Sequence, residues 1–306
     1  MTTTIHWDQR VGNQRDWVWR GWQTRYTYIR QAKNNQKTTP VILLHGFGAS
    51  IGHWRQNLEV LGEYHTIYAL DLLGWGASEK ASANYSIQFW VEQVYDFWKA
   101  FICQPVVLVG NSLGSLVCLA AAASHPDMVQ SIVMMSLPDP TLEQEAIPTW
   151  LQPAVARIKS IVASGFILKA VFGLVCRPKI LSSWAASAYA SRDAITDELL
   201  DIFVTPTQDE NAVRAFIAIF KAATLTTYSP SVKRLLPTLQ IPMLLIWGQK
   251  DRWVPPALAQ QFAQYNQNIQ LLTLENVGHC PHDESPEEVN KIILDWIDGS
   301  VHHEKD

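Results

Sequence analysis

The sequence predicts an α/β fold: a mostly parallel, eight-stranded sheet flanked by helices and carrying a helical cap insertion. Three observations carry this expectation. Continuous apolar runs alternate with helical patterns through the first 137 residues, as in a parallel sheet covered on both faces. The strand rhythm stops at Pro138, only helical patterns follow to residue 234, and strands then resume. Residues 106–123 pass from a β-branched run through Gly110-Asn111-Ser112-Leu113-Gly114 into a small-residue helix, the strand-to-helix setting in which G-x-S-x-G lifts a serine hydroxyl above a sheet. The expected division is a core of residues 1–137 and 235–306 with an inserted cap of residues 138–234.

In order, residues 17–20 and 22–30 alternate aromatic or β-branched with polar side chains and read as two antiparallel strands with one wet face. A polar turn follows at Asn34, Asn35, Gln36 and Lys37. Residues 41–44 and 66–70 are buried strands, ending in His45-Gly46-Phe47-Gly48 and at Asp71. Ser86 caps a helix whose Trp90, Val94, Phe97, Trp98 and Phe101 recur at helical spacing and read as core. Another strand covers 131–135. In the cap, helical patterns cover 153–175, 180–190, 196–204 and 209–223, the last preceded by a Thr207-x-x-Glu210 capping box. Strands return at 242–247 and 269–274, and Ser285-Pro286-Glu287-Glu288 opens a final amphipathic helix with a serine cap and proline at its first position.

Composition narrows the function classes. The 306 residues, 48% hydrophobic, can bury a large core, and a formal net charge of −4 gives no basic excess to attract nucleic acid. Cys103, Cys118, Cys176 and Cys280 lack C-x-x-C spacing, which fits reduced thiols in a cytoplasmic compartment. No signal peptide or transmembrane segment is expected: residues 161–176 are apolar but short and broken by Lys169. Peripheral contact with a membrane surface stays compatible with the sequence. Thirteen tryptophans offer large flat apolar surfaces to a core or to a hydrophobic ligand.

A serine hydroxyl becomes a useful nucleophile when a base takes its proton and a third group orients that base. Asp251, in the loop after strand 242–247, and His279, in the loop after strand 269–274, stand where such partners belong. Asp139 is the rival acid and His282 the rival base. His6, His65, His125, His302 and His303 read as exposed or structural, with no metal-ligand spacing; no metal or cofactor is expected. The backbone N–H groups of Leu113 and Phe47 are the expected oxyanion donors. His53, Trp54, Asn111, Phe166 and Trp184 are candidate pocket residues. In the cap, Ile161, Ile167, Leu168, Phe172, Phe216 and Phe220 are among more apolar residues than a thin insert needs to rest on a sheet.

Leu44-His-Gly-Phe-Gly-Ala-Ser, Asp71-Leu-Leu-Gly-Trp-Gly-Ala-Ser, Gly110-Asn-Ser-Leu-Gly, Gly248-Gln-Lys-Asp and Gly278-His279 follow one another as in the α/β-hydrolase superfamily, and the chain resembles that superfamily over nearly all but its cap. Within it, His-Gly-Phe-Gly-Ala-Ser-Ile-Gly-His-Trp-Arg-Gln-Asn and the asparagine before Ser112 resemble the pheophytinase and chlorophyll dephytylase group of plants and cyanobacteria, with Ser115 where a second glycine is common. The resemblance implies a Ser112-His279-Asp251 esterase acting on a small hydrophobic ester, with the phytyl ester of a chlorophyll-type pigment as the group's substrate. The group's plastid members carry transit peptides; their lack at this N-terminus points to a cyanobacterial or other bacterial source. Serine at position 112 separates the chain from haloalkane dehalogenases and epoxide hydrolases, which resemblance assigns an aspartate there. Two alternatives stay open: a carbon–carbon bond hydrolase or lactonase with the same triad, and a ligand-binding or pigment-pathway accessory protein that does not turn over. Oligomeric state is not legible.

Overall fold

The computed structural model describes residues 6–31, 38–145 and 163–302. Its strands are β1 (Asn13–Trp19), β2 (Trp22–Ile29), β3 (Val41–Leu44), β4 (Ile67–Leu70), β5 (Val106–Asn111), β6 (Val129–Met135), β7 (Met243–Gly248) and β8 (Ile269–Leu274). They form one eight-stranded sheet in the order β1-β2-β4-β3-β5-β6-β7-β8. The β1–β2 and β2–β4 pairs are antiparallel and the rest are parallel, as the sequence predicts.

Side chains alternate faces along a strand, and the core divides accordingly. Ile42, Leu44, Leu108, Ile132, Met134 and Leu245 pack on one side, where helices α1 (Ile87–Phe101) and α2 (Leu113–Ser124) lie. Val41, Leu43, Val107, Val109, Val133 and Ile246 pack on the other, against Leu58, Leu61 and helix α8 (Pro286–His302). Burial on both faces explains why these strands read as unbroken apolar runs. β1 begins four residues earlier than the apolar alternation indicates; Asn13–Asp16 lie on the sheet edge, where polar side chains meet water and only backbone pairing is needed.

Between β6 and β7 the described residues hold helices and no strand, among them α3 (Gly165–Val175), α4 (Pro178–Ala188), α5 (Asp197–Val204) and α6 (Ala212–Ala223). Helix α7 (Ala257–Ala263) follows β7. The Ser86 cap behaves as read, its Oγ accepting from Phe89 N–H, and the structure adds a second, in which Thr196 Oγ1 accepts from Leu199 N–H. The Thr207–Glu210 capping box does not form. Thr207 instead donates its hydroxyl to the Val204 carbonyl within a short 3₁₀ turn, and α6 starts at Ala212. Phe101, expected in the core, is 41% exposed at the last turn of α1, where its ring meets Trp17 and Tyr26. The polar turn at 34–37, Ile161 and the start of the helical pattern at 153 lie outside the described residues.

Candidate active site

β5 ends at Asn111 and α2 begins at Leu113, so Ser112 alone makes the turn, with φ 52° and ψ −113°. The left-handed strain falls on the serine itself rather than on its neighbouring glycines. Those glycines are required by contact. A Cβ on Gly114 would lie 2.1 Å from the Leu44 carbonyl oxygen, and one on Gly110 would lie 2.4 Å from the Gly114 carbonyl carbon. Strand and helix can therefore approach only without side chains at these positions. Ser115 braces the same turn: its buried hydroxyl accepts from Met135 N–H at 2.9 Å and lies 2.8 Å from the carbonyl oxygens of Gly110 and Met135.

Asp251 and His279 come together. His279 Nδ1 is 2.9 Å from Asp251 Oδ2, with both side chains buried, and Asp251 Oδ1 accepts from the N–H groups of Trp253 (2.8 Å) and Val254 (2.9 Å). Because the carboxylate accepts, Nδ1 carries the proton and Nε2 of the neutral ring is left as an acceptor. The histidine loop is tied down on two sides: His279 N–H donates to the Ala188 carbonyl (2.7 Å), and Asn111 Nδ2 donates to the His279 carbonyl (3.0 Å). The rival acid is engaged elsewhere. Asp139 Oδ1 accepts from the Thr141 N–H and hydroxyl while Oδ2 accepts from Val232 N–H.

Ser112, Asn111 and His279 line a chamber of about 30 Å³ with Gly46, Phe47, His53 and Trp184 among its other walls. Leu113 is the first residue of α2, where the N–H has no intrahelical acceptor and the helix dipole favours negative charge. Gly46, next to Phe47, lies so close to the serine turn that a Cβ there would sit 3.0 Å from Asn111 Oδ1. The Phe47 loop is held by two buried groups. His45 Nδ1 donates to the Gly46 carbonyl (2.7 Å) and its Nε2 accepts from Leu72 N–H (3.0 Å), while Asp71 accepts from Ile51 and Ala77 N–H.

An apolar cavity of about 170 Å³ adjoins the chamber, sharing Phe47, Trp184 and Phe203 as walls and extending to Trp75, Phe172 and Phe216. That is the size of an apolar cavity of roughly 150 Å³ that accepts benzene. Two pocket candidates are placed differently from expectation. Trp54 is fully buried, its ring 4.2 Å from that of His282 at a tilt of 37°, and lines neither cavity. Phe166 is 85% exposed on the outer side of α3. Three aromatic chamber residues were missed by sequence reasoning. Trp253 packs 4.5 Å from Trp184 and 5.1 Å from His279, and its place two residues after Asp251 was the available signal. Tyr189 and Phe203 come from the helical segment between β6 and β7, where no motif marks them.

Beside the chamber lies a buried polar chain. Tyr189 donates its hydroxyl to Asp283 Oδ2 (2.7 Å), so the phenol oxygen accepts from His53 Nε2–H (2.9 Å). Asp283 pairs with Arg55 (2.8 Å), and Arg55 with Glu198 (2.6 Å), which also meets Arg10. The chain joins the helical segment between β6 and β7 to the loops after β3 and β8. Burial, reinforced by Arg55, holds His53 well below the usual imidazole range; burial, reinforced by His53, does the same to His282. Neutral in the native protein, both would be protonated in the unfolded chain once pH falls below about 6.5, so stability falls with pH there by about 1.4 kcal/mol per pH unit for each. His282→Phe keeps a ring against Trp54 and is expected to remove one such slope between about pH 6.5 and 5 in urea unfolding, whereas Asp71 and Glu284, whose burial raises them, contribute equally to both proteins. An unchanged slope would show that His282 is protonated in the folded state.

Residues 41–292 match the alpha/beta hydrolase family. The chain belongs to this family. Among its relatives, the chloroplastic pheophytinase of Arabidopsis thaliana is 25% identical over an alignment covering 89% of this chain and 64% of the relative, so the chain spans just under two thirds of that protein's length. The 2-hydroxy-6-oxo-6-(2'-aminophenyl)hexa-2,4-dienoic acid hydrolase of Metapseudomonas resinovorans is 27% identical, covering 85% of this chain and 84% of the relative. A solved serine hydrolase involved in carbazole degradation superposes with a TM-score of 0.74 at 22% identity, covering 94% of this chain and 98% of its own, a likeness of fold. No described helix is long and apolar enough to cross a membrane.

Proposed function

We propose that this α/β hydrolase cleaves a carboxylic ester of a hydrophobic substrate with Ser112 as nucleophile. In this reading the Ser112 hydroxyl attacks the acyl carbon while His279 Nε2 takes its proton. Asp251 keeps Nδ1 protonated and supports the imidazolium, and the Phe47 and Leu113 N–H groups hold the oxyanion. The proton passes to the leaving alcohol oxygen; water, deprotonated by the same Nε2, then releases the acid from the acyl-serine. The observation that carries the reading is the 2.9 Å His279–Asp251 bond at the wall of the chamber Ser112 enters. Residues 138–234 are taken as a cap over a core of 1–137 and 235–306.

The aromatic cavity next to the chamber supports a hydrophobic arm on the ester, and likeness to pheophytinase supports the phytyl ester of a chlorophyll-type pigment, with the chain segment nearest the ester in the cavity and the macrocycle outside. The carbon–carbon reading draws on the dienoic acid hydrolase, whose substrate carries a carboxylate. Here the cavity's one charged wall residue, Lys80, has its ammonium engaged with the Gly76 and Ser78 carbonyls, which favours the ester. The test is turnover of esters of graded chain length, pheophytin, a lactone and a vinylogous diketone. For the esters, kcat/KM is expected to rise about fourfold per added methylene until the cavity fills. Preferential cleavage of the diketone, or release of a single equivalent of product, would refute the reading.

A further inference from the structure

Helix α3 is apolar on two faces. Leu168 is buried, and Ile167, Phe172 and Val175 are partly buried beneath the helix. Outward, Phe166, Lys169, Ala170, Gly173, Leu174 and Arg177 follow at the spacing of a single helical face, and all are exposed. Phe166 is 85% and Leu174 47% exposed, and Lys179 at the start of α4 extends the face with another cation. A helix with apolar residues on all sides is ordinarily enclosed, so this outer face calls for an apolar partner.

Charge identifies the partner. From Ala146 to Arg192 the sequence carries Arg157, Lys159, Lys169, Arg177, Lys179 and Arg192 and no Asp or Glu, although the whole chain has a net charge of −4. On this face Lys169, Arg177 and Lys179 stand with no acidic residue in α3 or α4, so a two-fold contact through it would bring like charges together. An anionic lipid surface satisfies both features: acyl chains for Phe166 and Leu174, headgroups for the cations. The patch is also continuous with the apolar cavity, since Val171 is both 38% exposed and part of the cavity wall.

We propose that α3 and the start of α4 dock on an anionic lipid bilayer, with Phe166 and Leu174 seated among the acyl chains and Lys169, Arg177 and Lys179 at the headgroups. This brings the Val171 side of the cavity to the phase in which an apolar ester dissolves; that consequence rests on the ester reading, whereas the docking itself does not.

The test is co-sedimentation of the full chain with phosphatidylglycerol–phosphatidylcholine vesicles and with pure phosphatidylcholine vesicles at about 0.1 M salt, where screening acts over about 10 Å. The wild type is expected on the anionic vesicles, and Lys169→Gln/Arg177→Gln/Lys179→Gln is expected to lower the partition coefficient on the order of 100-fold. Phe166→Asp/Leu174→Asp should abolish binding while turnover of a soluble short-chain ester stays within about twofold, as for surface substitutions generally. Equal binding of the aspartate variant, equal binding to neutral vesicles, no binding by the wild type, or a dimer that these substitutions dissolve would each overturn the proposal. Vesicle binding without ester turnover would leave the docking standing and remove the ester reading, so the two fail separately.

Discussion

Ser112→Ala is expected to lower kcat for a soluble short-chain ester by about 10⁴- to 10⁶-fold, with the melting temperature near that of the wild type. Alanine fits the same turn, because the strain at φ 52° concerns the backbone and Cβ that both residues share. In the proposed mechanism, what is lost is the oxygen that forms the acyl bond. The residual rate would come from the Phe47 and Leu113 N–H donors acting on a water-attacked substrate. A variant that keeps wild-type turnover would remove Ser112 from the chemistry.

Asp251→Asn is expected to cost about 10⁴-fold in kcat, against little change for Asp139→Asn. The geometry gives the reason. Oδ1 of residue 251 must accept from the N–H groups of Trp253 and Val254, so an asparagine cannot turn its amide NH₂ that way without facing two donors. The NH₂ therefore occupies the Oδ2 position and donates to His279 Nδ1. That moves the ring proton to Nε2, where the acceptor for Ser112 should be. Asp139→Asn instead meets Val232 N–H or the Thr141 donors with one NH₂, and the expected loss is stability, about 1–3 kcal/mol by thermal or urea unfolding. If Asp139→Asn were the more damaging to kcat, the acid would have to be reassigned.

The sheet was legible because its strands are buried on two faces and so have little freedom in composition: residues 41–44 and 106–109 could hardly read otherwise. That Asp251 and His279 would meet was legible for a related reason, since they stand in loops just after β7 and β8. The origin of the glycine pattern was not. G-x-S-x-G marks the turn but not why its glycines are needed: the structure requires missing side chains at Gly110 and Gly114, and the unusual φ lies on Ser112.

The remaining differences concern which neighbour a side chain meets, which periodicity does not encode. Trp54 is adjacent in sequence to His53, yet only His53 reaches the chamber, and Trp54 packs against His282 from a loop more than 200 residues distant. Thr207 and Glu210 have capping-box spacing, but Pro206 sits in a 3₁₀ turn in which Thr207 bonds back to Val204. The chain from His53 through Tyr189 and Asp283 to Arg55 and Glu198 joins three separate stretches of the sequence and leaves no local signature. Phe166 belongs to a helix apolar on both faces, so its hydrophobicity alone could not say which way it points.

The central claim is that Ser112 is a nucleophile activated by His279. Its most direct measurement is intact-protein mass after exposure to an alkyl fluorophosphonate, with the modified site mapped by peptide sequencing. A single adduct on Ser112 is the expected result, absent in Ser112→Ala and formed at least about 10³-fold more slowly in His279→Ala. An adduct on another residue, or an unmodified Ser112 in protein that still hydrolyses esters, would contradict it.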